Sequence, residues 1–250
     1  MSSKNLEQQN TSVIFNTGAF RFSGAQLNSL ESDHYTLVVL AIDTSISVGS
    51  FANQLLKVLK DTVRSLQLGK NSDNIMVRVI NFDTKTNEVH GFTELNKCDL
   101  ANYDQVFNKF GNSTSLYDAS VDGLDSLNKY SEELGKPGND YSTNGIFICI
   151  TDGDDNSSSF TTSTVKAKLS EGVGEMKLES LNSILLGVNM KDSRMSARLK
   201  SFKHEVGFDQ FEAIENVDQQ AVAKLIGFLS KSISSVSSSL GHGKSQTLAF

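Results

Sequence analysis

Three short segments of this 250-residue chain gather oxygen-bearing side chains. Asp43-Thr44-Ser45-Ile46-Ser47 leaves an apolar run, and in extended backbone positions i, i+2 and i+4 lie on one side, so Asp43, Ser45 and Ser47 can face one point. Gly111-Asn112-Ser113-Thr114 precedes a helical pattern that begins near Leu116. Thr151-Asp152-Gly153 closes a second apolar run, and Gly153 permits a sharp turn there. Asp43, Ser45, Ser47, Thr114 and Asp152 offer hard oxygen donors, with no sulfur and no imidazole. Such a set suits Mg²⁺, or Mn²⁺ or Ca²⁺, and disfavours zinc. Only Asp43 and Asp152 are ionised, so a divalent ion held by them would stay electrophilic and would gain by accepting a carboxylate from outside. The expected chemistry is binding, with no catalytic residue.

These segments can converge only if the chain between them folds as strands alternating with helices. Thr36–Ile42, apolar after its first residue, and Ile146–Ile150 are apolar runs of the kind that strands buried on both faces show, and Ile75–Phe82 and Leu181–Val188 read as further strands. Asn87–Phe92 reads as a return strand after a turn at Asp83–Thr86, and Phe208–Ile214 as a sixth strand. Helices are predicted at Gly49–Gln67, Tyr103–Phe110, Leu116–Tyr130, Ser193–Glu205 and Val217–Ile233, and a weaker one over 161–180. The alternation implies an α/β, Rossmann-like three-layer sandwich with a mostly parallel six-stranded sheet and one antiparallel edge strand. In such sheets ligands sit beyond the carboxyl ends of the strands, where all three segments fall. Residues 1–35 read as an N-terminal arm or hairpin, 36–233 as the domain, and 234–250 as a Ser-rich, mobile tail.

The three segments resemble those of a known family. Asp43-x-Ser45-x-Ser47 is similar to the metal-ion-dependent adhesion site signature of von Willebrand factor A domains. Gly111–Ala119 resembles the family's second metal loop, with Thr114 in the metal-facing place, and Ile150–Ser158 resembles the third, with its acid at Asp152. The likeness covers residues 36 to 233 with its motifs in the family's order. It implies direct metal binding by Ser45 and Ser47, water-mediated binding by Asp43 and Asp152, Thr114 either way, and a protein partner whose carboxylate completes the coordination. Ile46 departs from the pattern, which often has glycine there. By analogy with intracellular bacterial members, the partner class includes an AAA+ ATPase or a stress-resistance system.

Each segment also has a plainer reading. Asp43–Ser47 can be a strand end whose Ser caps the next helix, and Thr151–Ser158 a turn before a capped helix. Asp154 and Asp155 read as solvated charges, and Asp118 as support for the Thr114 loop. Other function classes fit less well. A dehalogenase-like phosphohydrolase needs a second carboxylate where Ser45 stands. A dinucleotide site needs a Gly-rich loop after Ile42, and a serine hydrolase needs a nearby His. The alternative that remains is a structural or assembly component of a phage particle or secretion machine, in which the metal only stabilises the domain.

Composition narrows the setting. With 38% hydrophobic and 21% charged residues the chain is globular rather than disordered. A net charge of -6 disfavours nucleic-acid binding. Cys98 and Cys149 lie in no metal-type spacing and read as unpaired thiols of a reducing compartment. No apolar run reaches the ~20 residues that span a bilayer, and MSSKNLEQQN has no signal-like apolar core, so a cytoplasmic protein with no membrane partner is expected. The oligomeric state is open.

Overall fold

The run Thr36–Ile42 is apolar from Leu37 onward because both of its faces are covered. Val38, Leu40 and Ile42 point into one core with Leu55, Leu59, Leu225 and Leu229. Leu37, Val39 and Ala41 point into another with Leu124, Leu127, Leu185 and Leu199. The computed structural model describes residues 12–139, 141–173 and 177–239. Its strands are β1 (Ser12–Asn16), β2 (Arg21–Ala25), β3 (His34–Asp43), β4 (Ile75–Phe82), β5 (Thr86–Glu94), β6 (Ser142–Thr151), β7 (Ser180–Val188) and β8 (Gln210–Ile214). Its α-helices are α1 (Ala52–Gln67), α2 (Leu116–Leu134), α3 (Thr162–Glu171), α4 (Ser193–Val206) and α5 (Gln219–Ser238). α1 and α5 cover one face of the sheet; α2 and α4 cover the other, with α3 packed between them.

The sheet has eight strands in the order β1-β2-β5-β4-β3-β6-β7-β8, two more than the expected six. The six predicted strands are present, and β5 is antiparallel to β4. It is not an edge, however, because the β1–β2 hairpin extends the sheet beyond it. This addition is hard to see in sequence because β2 pairs with β5 at a single register position, Gly24 with Phe92. The approach depends on a missing side chain: a Cβ on Gly91 would stand 1.8 Å from the Ser23 carbonyl oxygen. Phe15, Phe22, Phe92 and Tyr130 then stack over the junction and tie the hairpin to α2.

Two helical boundaries also differ. The predicted helix at Tyr103–Phe110 is instead a 3₁₀ turn, Leu100–Gln105, with Asp99 accepting from the Ala101 amide. Tyr103 in the turn and Val106 just after it are buried and three apart, a spacing a 3₁₀ turn can place on one side. At the other end α5 continues past Ser234 to Ser238, with Ile233 and Val236 buried and the Val236 carbonyl accepting from Asn144. Residues 1–11 and 240–250, which include the start of the expected arm and most of the expected tail, lie outside the described residues. Among those described, no helix is long and apolar enough to cross a membrane. Cys98 and Cys149 are both buried and unpaired.

A cationic side chain lies deep in the structure. Arg78, on β4, is 1% exposed. Its guanidinium donates to Glu88 at 2.9 Å, to the Ser126 hydroxyl at 3.0 Å and to Asp122 at 3.0 Å, and it lies 5.4 Å from the Phe22 ring centre. Glu88 in turn accepts from the Ser23 amide and hydroxyl. β2, β4, β5 and α2 therefore meet on one cation. Burial pushes the Asp122 carboxyl up, while the charge of Arg78 opposes that rise. Breaking such a pair from one side leaves a buried charge alone, so Arg78→Met should destabilise the chain by about 3–5 kcal/mol in urea unfolding at pH 7. Arg78→Met with Asp122→Leu should recover most of that loss. A single-variant loss below about 1 kcal/mol would remove this network from the account of stability.

Candidate functional site

β3 and β6 are neighbouring parallel strands that end side by side, which brings Asp43 beside Thr151. Asp43 is fully buried. Its Oδ1 accepts from the Ser45 amide at 2.7 Å and its Oδ2 from the Thr151 hydroxyl at 2.6 Å. The first bond bends the chain out of β3 into a 3₁₀ turn, Ile46–Phe51, anchored by buried Val48 and Phe51. The Ser45 hydroxyl makes no helix-capping bond. It lies 3.0 Å from the Ser47 hydroxyl, which donates to Asp152 Oδ1 at 2.8 Å.

The loop carrying Thr114 is stitched to both neighbours. Ser45 and Gly111 form a bridge, with Ile46 N donating to the Gly111 carbonyl at 2.8 Å and Gly111 N to the Thr44 carbonyl at 3.2 Å. Glycine is required at 111, since a Cβ would stand 2.4 Å from Asp83 Cγ. Ser115 then donates to the Asp83 carbonyl through its amide and its hydroxyl. On the other side Asn156 and Thr114 exchange two bonds, of 2.8 and 3.0 Å. The Thr114 hydroxyl is 3.8 Å from where a Cβ on Gly153 would lie, so it faces the Asp152 loop.

All five predicted site residues thus converge. The readings of their neighbours need revision. Asp155 is not a solvated charge: with Ser158 it accepts from the Tyr117 amide, and Ser158 also accepts from the Asp118 amide, so this loop caps α2 from outside. Asp118 returns the interaction by accepting from Ser159 N and Phe160 N, both at 2.9 Å. Asp154 pairs with Arg198 at 3.3 Å. The plainer reading of Asp43–Ser47 as a capped helix start is not met, and Thr151–Ser158 caps the earlier helix α2, not α3, which follows it. Asp83 and Asn156, which fix the loops, were not identified from sequence. The turn-like character of their segments is the only signal either carries.

The electrostatics fit a hard cation. Burial pushes the Asp43 carboxyl up to about 6, against the hydrogen bonds from Thr151 and Ser45, and the negative charge of Asp152 adds to the rise. Burial raises Asp152 too, with the Ser47 hydroxyl opposing. Among the described residues neither carboxylate pairs with a Lys or Arg, and no three His, Cys, Asp or Glu side chains cluster as metal ligands. The two carboxylates are linked through the Ser45 and Ser47 hydroxyls, with no cation of the described residues between them. Oxygen donors of this kind match Mg²⁺ or Ca²⁺ better than a softer metal.

A family model described as the von Willebrand factor type A domain matches residues 38–236. No curated protein matches the sequence. Among solved structures, the pilus adhesin SpaC from Lactobacillus rhamnosus GG aligns with a TM-score of 0.61 and 11% identity over 93% of this chain and 36% of its own. A D319A mutant of the PilB minor pilin from Streptococcus sanguinis aligns at 0.56 and 14%, over 84% and 64%. A von Willebrand factor type A protein from Catenulispora acidiphila aligns at 0.56 and 13%, over 85% and 44%. The likeness at these identities is one of fold, and the chain spans about a third of SpaC and under two thirds of PilB.

The raised Asp43 carboxyl has a stability consequence. The folded state holds this proton more tightly than the unfolded state, so its contribution is full below the ordinary value of 3.8 and is lost as pH rises through about 6. Asp43→Asn mimics the protonated form, and the Thr151 hydroxyl can turn to the Gly153 carbonyl, 3.0 Å away, to accept from the new amide. In EDTA, the stability of Asp43→Asn relative to wild type should rise by about 2–3 kcal/mol between pH 4 and 6 and be flat above. A difference that does not vary with pH in urea unfolding would contradict this.

Proposed function

Because the chain belongs to the von Willebrand factor type A domain family, we propose that it is a divalent-metal-dependent protein-binding module. The observation that carries this reading is the orientation of the Ser45 and Ser47 hydroxyls. They turn toward each other and toward Asp152, not toward backbone amides, beside two carboxylates with no cationic partner among the described residues. Ser45, Ser47 and Thr114 would hold Mg²⁺ with Asp43 and Asp152 behind them. When bound, the ion supplies an electrophilic point for one acidic side chain of a protein partner. The chain's own residues do the positioning. Asp43 locks the Ser45 turn, Thr151 fixes the Asp43 carboxylate, and Asn156 holds the Thr114 loop against Asp152. The module acts by binding and not by turnover.

On this reading the protein is cytoplasmic, in keeping with its buried unpaired thiols, and works beside a larger machine such as an AAA+ ATPase. The fold it shares with a pilus adhesin and a minor pilin supports the second reading, a subunit of an assembly in which the ion only stabilises the domain.

Linkage of binding to folding gives the test. At a tenfold excess of Mg²⁺ over its Kd the melting temperature should rise by roughly 3–5 °C, and by much less in Asp43→Ala and Ser45→Ala. Equal shifts in all three would remove the metal site. Partner capture that is lost in EDTA and in Ser45→Ala supports the binding module; capture that survives both supports the assembly reading.

A further inference from the structure

A cavity of about 420 Å³ opens beside the candidate metal site, at the carboxyl ends of β3 and β4. It shares Thr44 with the site loop, and its lining includes Asp83, the residue against which Gly111 is packed. Lys85, Asn87, Asn108 and Lys109 line it as well, all four exposed. Lys85 and Lys109 have no ion pair among the described residues. Two ammonium groups against the single carboxylate of Asp83 make this a locally positive hollow on a chain of net charge -6. The side-chain amides of Asn87 and Asn108 add hydrogen-bond donors.

Apolar surface borders the same place. Ile46 is 66% exposed and Phe110 39% exposed. Ile46 follows Ser45 and Phe110 precedes Gly111, so the two flank the bridge between the metal loops. The Phe110 ring lies 3.9 Å from where a Cβ on Gly49 would stand, which places it against the turn that carries Ser47. Ile46 is mostly outside the core, and Phe110 packs on Phe107 with one face of its ring left to solvent. Contact with a partner would cover both.

We propose that this cavity is a second acid-binding subsite and that the partner segment is an acidic stretch with two carboxylates separated by an apolar side chain. One carboxylate goes to the centre formed by Ser45, Ser47 and Asp152. The apolar side chain rests on Ile46 and Phe110, and the second carboxylate meets Lys85 and Lys109. The two lysines exclude a basic segment at that position by like-charge repulsion. This inference rests on the metal-dependent reading for its first carboxylate and on the cavity alone for its second.

The test uses the full chain and N-acetylated peptide amides of sequence Glu-Leu-Glu, Glu-Leu-Gly-Glu and Glu-Leu-Gly-Gly-Glu. Each is compared by calorimetry with the same peptide ending in Gln, in Mg²⁺ and in EDTA. For at least one spacing, the terminal Glu should tighten binding to the wild type about threefold to tenfold, as one or two solvent-facing charge pairs would. In Lys85→Gln/Lys109→Gln the ratio should fall to about one, with the Gln-ended peptides bound as before and the melting temperature unchanged. The gain should also shrink as salt is added. A ratio near one at every spacing in the wild type, a ratio that survives in the double variant, or no measurable binding by any peptide overturns the subsite. Affinities equal in Mg²⁺ and EDTA sink the metal reading instead, and a lysine-dependent ratio in EDTA would leave the subsite standing without it.

Discussion

A carboxylate with no water around it must find its partners in the protein, and Asp43 finds them in two places that are far apart in the chain. One oxygen takes the amide two residues on and sets the turn that displays Ser45 and Ser47. The other takes the Thr151 hydroxyl and fixes the end of β6, from which Asp152 projects. Lengthening or shifting either strand by one residue would flip the side chains at its end to the other face. The hydroxyl cluster, the Thr114 loop and the capping of α2 all depend on that register. The uncompensated charge that results is the reason a cation would be welcome.

Much of this was legible in the residues. The central strands could be read because Leu37–Ile42 and Ile146–Ile150 are apolar without interruption, which at strand length and with turn residues after them fits a strand buried on both faces. The convergence of Asp43, Ser45, Ser47, Thr114 and Asp152 at one sheet edge was legible because their types and spacing repeat a known signature at three strand or helix ends. What escaped was whatever depends on a single contact between distant segments. Nothing local to Arg21–Ala25 reveals that it joins β5 through Gly24, or that Gly91 is bare so that Ser23 can lie against it. Asp155 looks like a loop charge because its partner, the Tyr117 amide, is 38 residues away.

The limits of α5 and of the turn at Leu100–Gln105 show a different reason for misreading. In α5 the spacing of Leu229, Ile233 and Val236 continues the buried stripe straight through the serines. Composition suggested a tail where periodicity still described a helix. At Leu100–Gln105 the opposite happened. A buried pair three residues apart fits an α-helix and a 3₁₀ turn equally, and the Asp and Asn residues around it favour the shorter form.

The bond from Thr151 to Asp43 closes 108 residues of chain. Parallel strands joined over such a distance are late events in folding, since the loop between them loses much of its freedom before any contact repays it. As the chain emerges during synthesis, β3, α1 and the β4–β5 hairpin can form among themselves, but Ser45 and Ser47 have no Asp152 to face until β6 arrives. The acidic centre is therefore a feature of the finished domain and of no earlier fragment. A nascent or truncated chain lacking β6 presents only one of its two carboxylates, so the paired acidic centre cannot exist before the sheet is complete.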